Sequence, residues 1–265
     1  MTLVRLTEQA PGVRLLLLDN PAKRNALDTP MRAALTTAIA QVAADRGARA
    51  LVVTGSGTIF CAGGDVPSLL SEADRGVSAI RDDLREVYRS FLVLRDLAIP
   101  VIAAVQGPAV GAGANLALAC DIVFAGPGAR FDFPFVRLGL HPGGGATYFL
   151  VTAAGRQRAL KILLEGGSVT ARQAVEYGLA ASVREEPLRD ALDLAGQVAS
   201  LDPGLTRDIK SAVSLAAESG LAASLHFESW AQAATAASVK DQADASAQTP
   251  QDARGAPGAR GARGT

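Results

Sequence analysis

Two short runs of small residues carry the chemistry open to this sequence. Phe60-Cys61-Ala62-Gly63-Gly64-Asp65 and Gly107-Pro108-Ala109-Val110-Gly111-Ala112-Gly113-Ala114-Asn115 each follow an apolar, β-branched stretch, Ala50 to Thr54 and Val101 to Val105. Each reads as a strand that delivers its backbone into a tight turn and then a helix. Two such turns can aim two backbone N–H groups at one point. That is how a backbone oxyanion hole is built, a pair of donors for an oxygen that gains negative charge as a reaction proceeds.

Other chemistries of glycine-rich turns fit less well. No lysine is preceded by glycine, so there is no Walker-type phosphate loop, and Leu116 stands where a dinucleotide fingerprint after Gly111-Ala112-Gly113 needs its third glycine. A G-x-S-x-G nucleophile elbow is absent. Two histidines and two cysteines scattered along the chain make no metal site. Cys61 and Cys120 lie in apolar surroundings with neither a nearby histidine nor a Cys-x-x-Cys partner, so both read as buried, reduced packing residues.

The elements that would position the turns follow from pattern. Val13 to Leu18 is a buried strand ended by Asp19-Asn20-Pro21. Thr29 then reads as an N-cap with Pro30 at the first helical position, opening a helix to about Ala44. Ala50 to Thr54 is a strand, Ala79 to Leu97 an amphipathic helix ended by Pro100, and Ile122 to Ala125 another short strand. Beyond Gly145 the pattern is helical, with a capping box at Thr170 and Gln173 and helices near Leu188 to Ser200, Leu205 to Glu218 and Leu221 to Val239. Strands alternating with helices indicate an α/β fold.

Composition narrows the partners. The 265 residues are 49% hydrophobic and carry no net charge, with 26 basic residues spread along the chain and only four of them lysine. No basic face for nucleic acid emerges. Val101 to Cys120 is free of charge and long enough to suggest a membrane span, but Gln106, Asn115, Pro108 and its glycines favour a buried strand, turn and helix. Residues 1 to 18 interrupt every apolar run with Arg5, Glu8 or Arg14, so a secretory leader is not expected, and reduced thiols suit a cytoplasmic setting.

From about Val13 to about Ala237 the chain resembles the crotonase superfamily, the enoyl-CoA hydratases and isomerases. The resemblance rests on Asn20-Pro21 with Asn25-Ala26-Leu27, the Ala62-Gly63-Gly64-Asp65 turn, the glycine-rich turn running into Leu116-Ala117-Leu118-Ala119-Cys120-Asp121, and Leu138-Gly139-Leu140-His141-Pro142-Gly143-Gly144-Gly145. It implies a spiral of strand-and-helix units over about residues 1–185 and C-terminal helices over 186–240 that carry trimer contacts. A polar, low-complexity tail over 241–265, expected to be disordered, completes the chain. The implied ligand is an acyl-CoA, with no cofactor beyond the coenzyme A of the thioester and no metal. The implied assembly is a homotrimer or a dimer of trimers, and the implied setting fatty acid metabolism.

Residue by residue, the resemblance places the thioester carbonyl on the N–H groups of Gly64 and Ala112. It lays coenzyme A along Lys23, Arg24 and Ala26, with the adenine near Ala62. Hydratases of this type use two glutamates. Here Asn115 and Phe135 occupy those positions, so both become candidate pocket residues and ordinary hydration becomes doubtful. Asparagine can orient a water or bind substrate but cannot take a proton near neutral pH. His141 is the leading replacement acid or base, with Asp132, Asp65 and Tyr148 behind it; their alternative readings are a helix cap, a surface carboxylate, a loop anchor and a core ring. His226, near Phe227 and Trp230, reads as an interface residue. A silent acyl-CoA-binding protein is the rival to an enzyme.

Overall fold

In the computed structural model the described residues are 2–64 and 76–247. Asp65, and the part of the polar tail from residue 248 onward, lie outside them. The chain divides after Lys210 into two compact units.

The first unit is built on a six-stranded sheet. In chain order its strands are β1 (Val4–Ala10), β2 (Val13–Leu18), β3 (Ala50–Gly55), β4 (Val101–Val105), β6 (Ile122–Ala125) and β9 (Ser182–Val183), and they lie side by side in that order. Only β1 and β2 pair antiparallel, as a hairpin; every later pair is parallel. Parallel strands need crossovers and are covered on both faces. Accordingly every residue of β3 and of β4 is buried.

The alternation along β3 sends its side chains to two different layers. Leu51 and Val53 join the larger core with Leu35, Ile39 and Val42 of helix α1 (Thr29–Ala44). Ala50 and Val52 join Ile102, Ala104 and Phe124 beneath α6 (Pro187–Ala199). That helix meets the sheet through Ala191 and Ala195, one turn apart and fully buried. Alanine there lets the helix backbone lie close to the strands, and larger residues would have to separate the layers at about 1–3 kcal/mol.

A second sheet of three short strands departs from the sequence reading, in which the first strand is a turn, the second no element and the third part of a helical stretch. Strand β5 (Pro108–Val110) pairs parallel with β7 (Arg130–Asp132), which pairs antiparallel with β8 (Ser168–Thr170). Between β5 and β6 the chain makes helix α3 (Ala112–Leu118), whose residues Gly113 to Ala117 are all buried. The capping box of Thr170 and Gln173 opens α5 (Ala171–Glu176) as expected.

Two helix boundaries differ from the sequence reading. Helix α2 runs Val77–Leu92, after which Leu94, Arg95 and Asp96 bond to carbonyls three residues back, so the chain tightens out of the α-helix well before Pro100. The cap of α1 is Asp28, not Thr29. Its Oδ1 accepts the N–H of Met31 at 3.0 Å while Oδ2 takes Lys23 Nζ at 2.9 Å, so a carboxylate outcompetes the neighbouring hydroxyl. Burial alone would raise this carboxyl, but Lys23 and the Met31 N–H together hold it below its ordinary value.

A carboxyl depressed by folding contributes stability above its unfolded pKa of about 4, and that contribution is lost as pH falls through the folded value. Asp28→Ala is therefore expected to lower the unfolding free energy by about 1–2 kcal/mol at pH 7. The deficit should shrink below about pH 4, as read from urea midpoints at both pH values.

Helix α4 (Ala146–Glu165) breaks at Gly155, which takes φ 77° and ψ 163°. Helix α7 spans Pro203–Glu218, and α8 spans Leu221–Ala247, passing Asp241, where the polar tail was expected to begin. On α8, His226 and Trp230 are exposed. No helix among the described residues is long and apolar enough to cross a membrane.

Candidate active site

The two small-residue turns interlock. Phe60 N–H and Cys61 N–H both point to the carbonyl of Pro108, at 3.0 and 3.3 Å, and Val110 N–H donates to Cys61 at 2.9 Å. This short ladder brings backbone against backbone wherever a side chain would stand in the way. A Cβ on Gly63 would collide with the Val110 carbonyl and lie 3.3 Å from the Ala112 nitrogen; one on Gly113 would collide with the Cys61 carbonyl. The glycines are therefore required by the close approach of the two turns, and Gly63 in addition by its φ of 87°.

The geometry also fixes the two proposed donors. Gly111 takes φ 52° and ψ −114° and turns the chain into α3, so Ala112 is the first helical residue and its N–H has no intrahelical acceptor. Leu27 forms a parallel bridge to Gly64 and donates to the Gly63 carbonyl at 2.8 Å. In a parallel bridge the residue opposite faces its own N–H away from its partner, so Gly64 N–H points off the Leu27 side. Among the described residues, a Cβ on Gly64 would meet nothing within 4 Å.

Asn25 anchors the neighbouring loop. Fully buried, it accepts Asn20 N–H through Oδ1 and donates from Nδ2 to the carbonyls of Ser56 and Ile59, each at 2.9 Å. It and Arg24 both take φ 55°, and Ala62 N–H donates to the Arg24 carbonyl at 3.0 Å. Thus Lys23, Arg24, Ala26 and Ala62 do come together beside Gly63 and Gly64. Lys23 and Arg24 are exposed, and Lys23 is held by Asp28.

On the other flank, Asn115 is fully buried one turn into α3. Its Nδ2 donates to the Gly143 carbonyl at 2.8 Å, and its Oδ1 is buried without a partner among the described residues. Phe135 is half-buried, with its ring 3.9 Å from where a Gly111 side chain would begin. Asp132, opposite Val110 in the β5–β7 register, accepts Gly111 N–H through its carbonyl at 2.8 Å, while its side-chain Oδ1 is also buried and unpartnered.

His141 is exposed, with Nδ1 2.8 Å from the adjoining Pro142 carbonyl. Tyr148 is not a core ring: it is 45% exposed and stacks edge-on with Phe149 under the Arg95 guanidinium. Both cysteines are buried, and desolvation pushes the Cys61 thiol up to about 12 and raises Cys120 as well, so neither presents a thiolate.

One residue at this site escaped sequence reasoning. Tyr88 of α2 brings its hydroxyl against the Gly143-Gly144 run, where a Cβ on Gly143 would collide with it and one on Gly144 would lie 3.3 Å from Tyr88 Cδ1. Three consecutive glycines signal that something approaches closely. Nothing local says that it is a tyrosine from fifty-five residues upstream.

The model of the family described as enoyl-CoA hydratase/isomerase matches residues 8–249. The chain belongs to this family. The protein named Probable enoyl-CoA hydratase EchA14, from Mycobacterium tuberculosis, is 46% identical over 69% of this chain and 70% of its own length. The 2,3-dehydroadipyl-CoA hydratase of Escherichia coli is 37% identical over 82% and 84%. Among solved structures, an enoyl-CoA hydratase from Polaromonas superposes with a TM-score of 0.83 at 30% identity, covering 94% of this chain and 98% of that one. The crotonase-like α/β fold and the acyl-CoA enzyme class follow from membership in the enoyl-CoA hydratase/isomerase family.

Proposed function

We propose that this enoyl-CoA hydratase/isomerase family member acts on acyl-CoA thioesters, with the N–H groups of Gly64 and Ala112 holding the carbonyl oxygen. The observation that carries this is the glycine-mediated locking of the two turns, which leaves the first N–H of α3 beside the Gly63-Gly64 backbone. Lys23, Arg24, Ala26 and Ala62 form the adjoining strip for coenzyme A. Phe135 gives the acyl group an apolar wall, and Asn115 gives it a polar contact. The chain is read as one crotonase-like domain to about residue 240, assembled as a homotrimer or a dimer of trimers in the cytoplasm.

Hydration by a pair of glutamates is not the chemistry of this site. General acid–base catalysis contributes about 10² to 10⁴-fold per group, and neither Asn115 nor Phe135 can supply it. Of the remaining protonic side chains, Asp132 is favoured over His141. Asp132 touches the Gly111–Ala112 turn through its backbone carbonyl and has a carboxylate oxygen buried without a partner among the described residues, whereas the His141 ring is exposed and turned onto its own loop. The absence of a carboxylate at 115 and 135 favours a second reading, a protein that binds acyl-CoA without turning it over.

One experiment separates the two. The protein is titrated calorimetrically with butyryl-CoA and crotonyl-CoA, then incubated with enoyl-, hydroxyacyl-, malonyl- and aryl-CoA thioesters and followed by mass spectrometry. Binding with turnover that falls in Asp132→Asn but persists in His141→Gln is the expected result. Binding with no turnover selects the silent protein, and absence of binding rejects the ligand class.

A further inference from the structure

Among the described residues, Arg24 and Asn25 are the only non-glycine residues with positive φ, both at 55°. Left-handed backbone is costly for a residue with a Cβ, though asparagine tolerates it better than most, and it persists only where the surroundings over-determine it. Here the surroundings are the first turn. The Arg24 carbonyl accepts Ala62 N–H at 3.0 Å, the Asn25 carbonyl accepts the Cys61 thiol at 3.1 Å, and Leu27 N–H donates to the Gly63 carbonyl at 2.8 Å. Residues 24 to 27 thus run as a splint along residues 61 to 63, and the bridge from Leu27 carries it on to Gly64.

The Asn25 amide keeps this splint in register. Its Nδ2 faces three carbonyls with two protons, those of Ser56 and Ile59 at 2.9 Å and that of Phe60 at 3.2 Å. Its Oδ1 accepts Asn20 N–H while Asn25 N–H returns to the Asn20 carbonyl, each at 2.9 Å. One buried side chain so ties the loop after β2 to the loop after β3. Strand β3 ends in a glycine, and a Cβ on Gly55 would lie 2.9 Å from Nδ2. The second turn is reached through Phe60, whose carbonyl takes the amide and whose N–H, with that of Cys61, meets the Pro108 carbonyl. An ionised aspartate would set a carboxylate that cannot donate against three acceptors.

We propose that Asn25 is a positioning residue for the oxyanion site: its amide, by tying residues 24–27 to residues 56–60, sets where the Gly64 N–H lies relative to the Ala112 N–H. The inference rests on the acyl-CoA reading above and names the side chain on which the geometry of its two donors depends. Those donors act on the thioester carbonyl oxygen alone. A shift of one against the other therefore falls on that oxygen and not on the rest of the ligand.

The test compares the dissociation constants of butyryl-CoA and of S-butyl-CoA, the thioether that lacks only the carbonyl oxygen. The wild-type protein is expected to bind the thioester about tenfold more tightly, as two modest net hydrogen bonds supply. Asn25→Gly keeps a residue that adopts φ 55° freely and removes only the amide. It is expected to bring the ratio of the two constants within about twofold of unity and to leave the circular dichroism spectrum unchanged.

A merely structural asparagine would weaken both ligands alike and keep their ratio, which overturns the proposal. If Asn25→Gly fails to fold, Cys61→Ala removes the thiol contact of the splint and must at least halve the ratio; an unaltered ratio there overturns the proposal too. A wild-type protein that binds both ligands equally removes the oxyanion assignment and the proposal with it. One that binds neither rejects the acyl-CoA ligand class itself.

Discussion

Replacing Ala112 by proline is expected to lower thioester turnover by about 10²- to 10³-fold, the loss measured when one oxyanion donor is removed elsewhere. The substitution is selective because of where Ala112 sits. As the first residue of α3, directly after Gly111, it occupies the one helical position at which proline is favoured, since the N–H it removes has no intrahelical partner. The helix keeps its hydrogen bonds, including Asn115 N–H to the Gly111 carbonyl at 3.1 Å. The check is kcat on whichever thioester the protein turns over, alongside the thermal midpoint. An unchanged midpoint with a kcat drop of two or more orders supports the donor assignment, and a drop below about threefold removes Ala112 from it. In a protein that only binds, the same variant should weaken acyl-CoA affinity.

What the sequence made legible was whatever depends on local pattern. Val13–Leu18, Val101–Val105 and Ile122–Ala125 are observed as strands at their expected limits, because each is an apolar run, broken only by Arg14 in the first, that is bounded by a polar residue, a proline or a glycine. The Thr170 and Gln173 box is local too. Strand β1 was missed because it lies at a sheet edge with most residues exposed, so its polar side chains look like a loop. Strand β5 was missed because it is three residues long, begins with Pro108, lies between Gly107 and Gly111, and pairs with β7, some twenty residues further on.

The site followed the same division. The two turns announced themselves through their glycines, and so did the position of Asn115. The contact between the turns is long-range, and so is the approach of Tyr88 and Asn115 to the Gly143-Gly144 run. Neither has a periodicity to read. His141 drew attention by its chemistry alone, and it is exposed.

Adjacent glycines in the first turn should differ in stability, but not in the direction of their affinity change, when each is replaced by alanine. Gly63→Ala places a Cβ against the Val110 carbonyl and forces an L-residue to φ 87°. Left-handed backbone strain costs about 1–3 kcal/mol, and the clash adds a comparable overpacking cost. The expected loss of unfolding free energy is therefore about 2–5 kcal/mol. Because the new Cβ would also lie 3.3 Å from the Ala112 nitrogen, any relief by separating the turns pulls the two donors apart, so acyl-CoA affinity should fall with stability.

Gly64→Ala introduces no contact within 4 Å among the described residues and no positive φ, so its unfolding free energy should match the wild type to within about 0.5 kcal/mol. Acyl-CoA affinity should still fall, because the open space beside Gly64 is where the thioester is placed. Unfolding curves and calorimetric titration on both variants decide the matter. Gly64→Ala with unaltered affinity would show that the space is not the ligand's, and Gly63→Ala with wild-type stability would show that the two turns are free to separate.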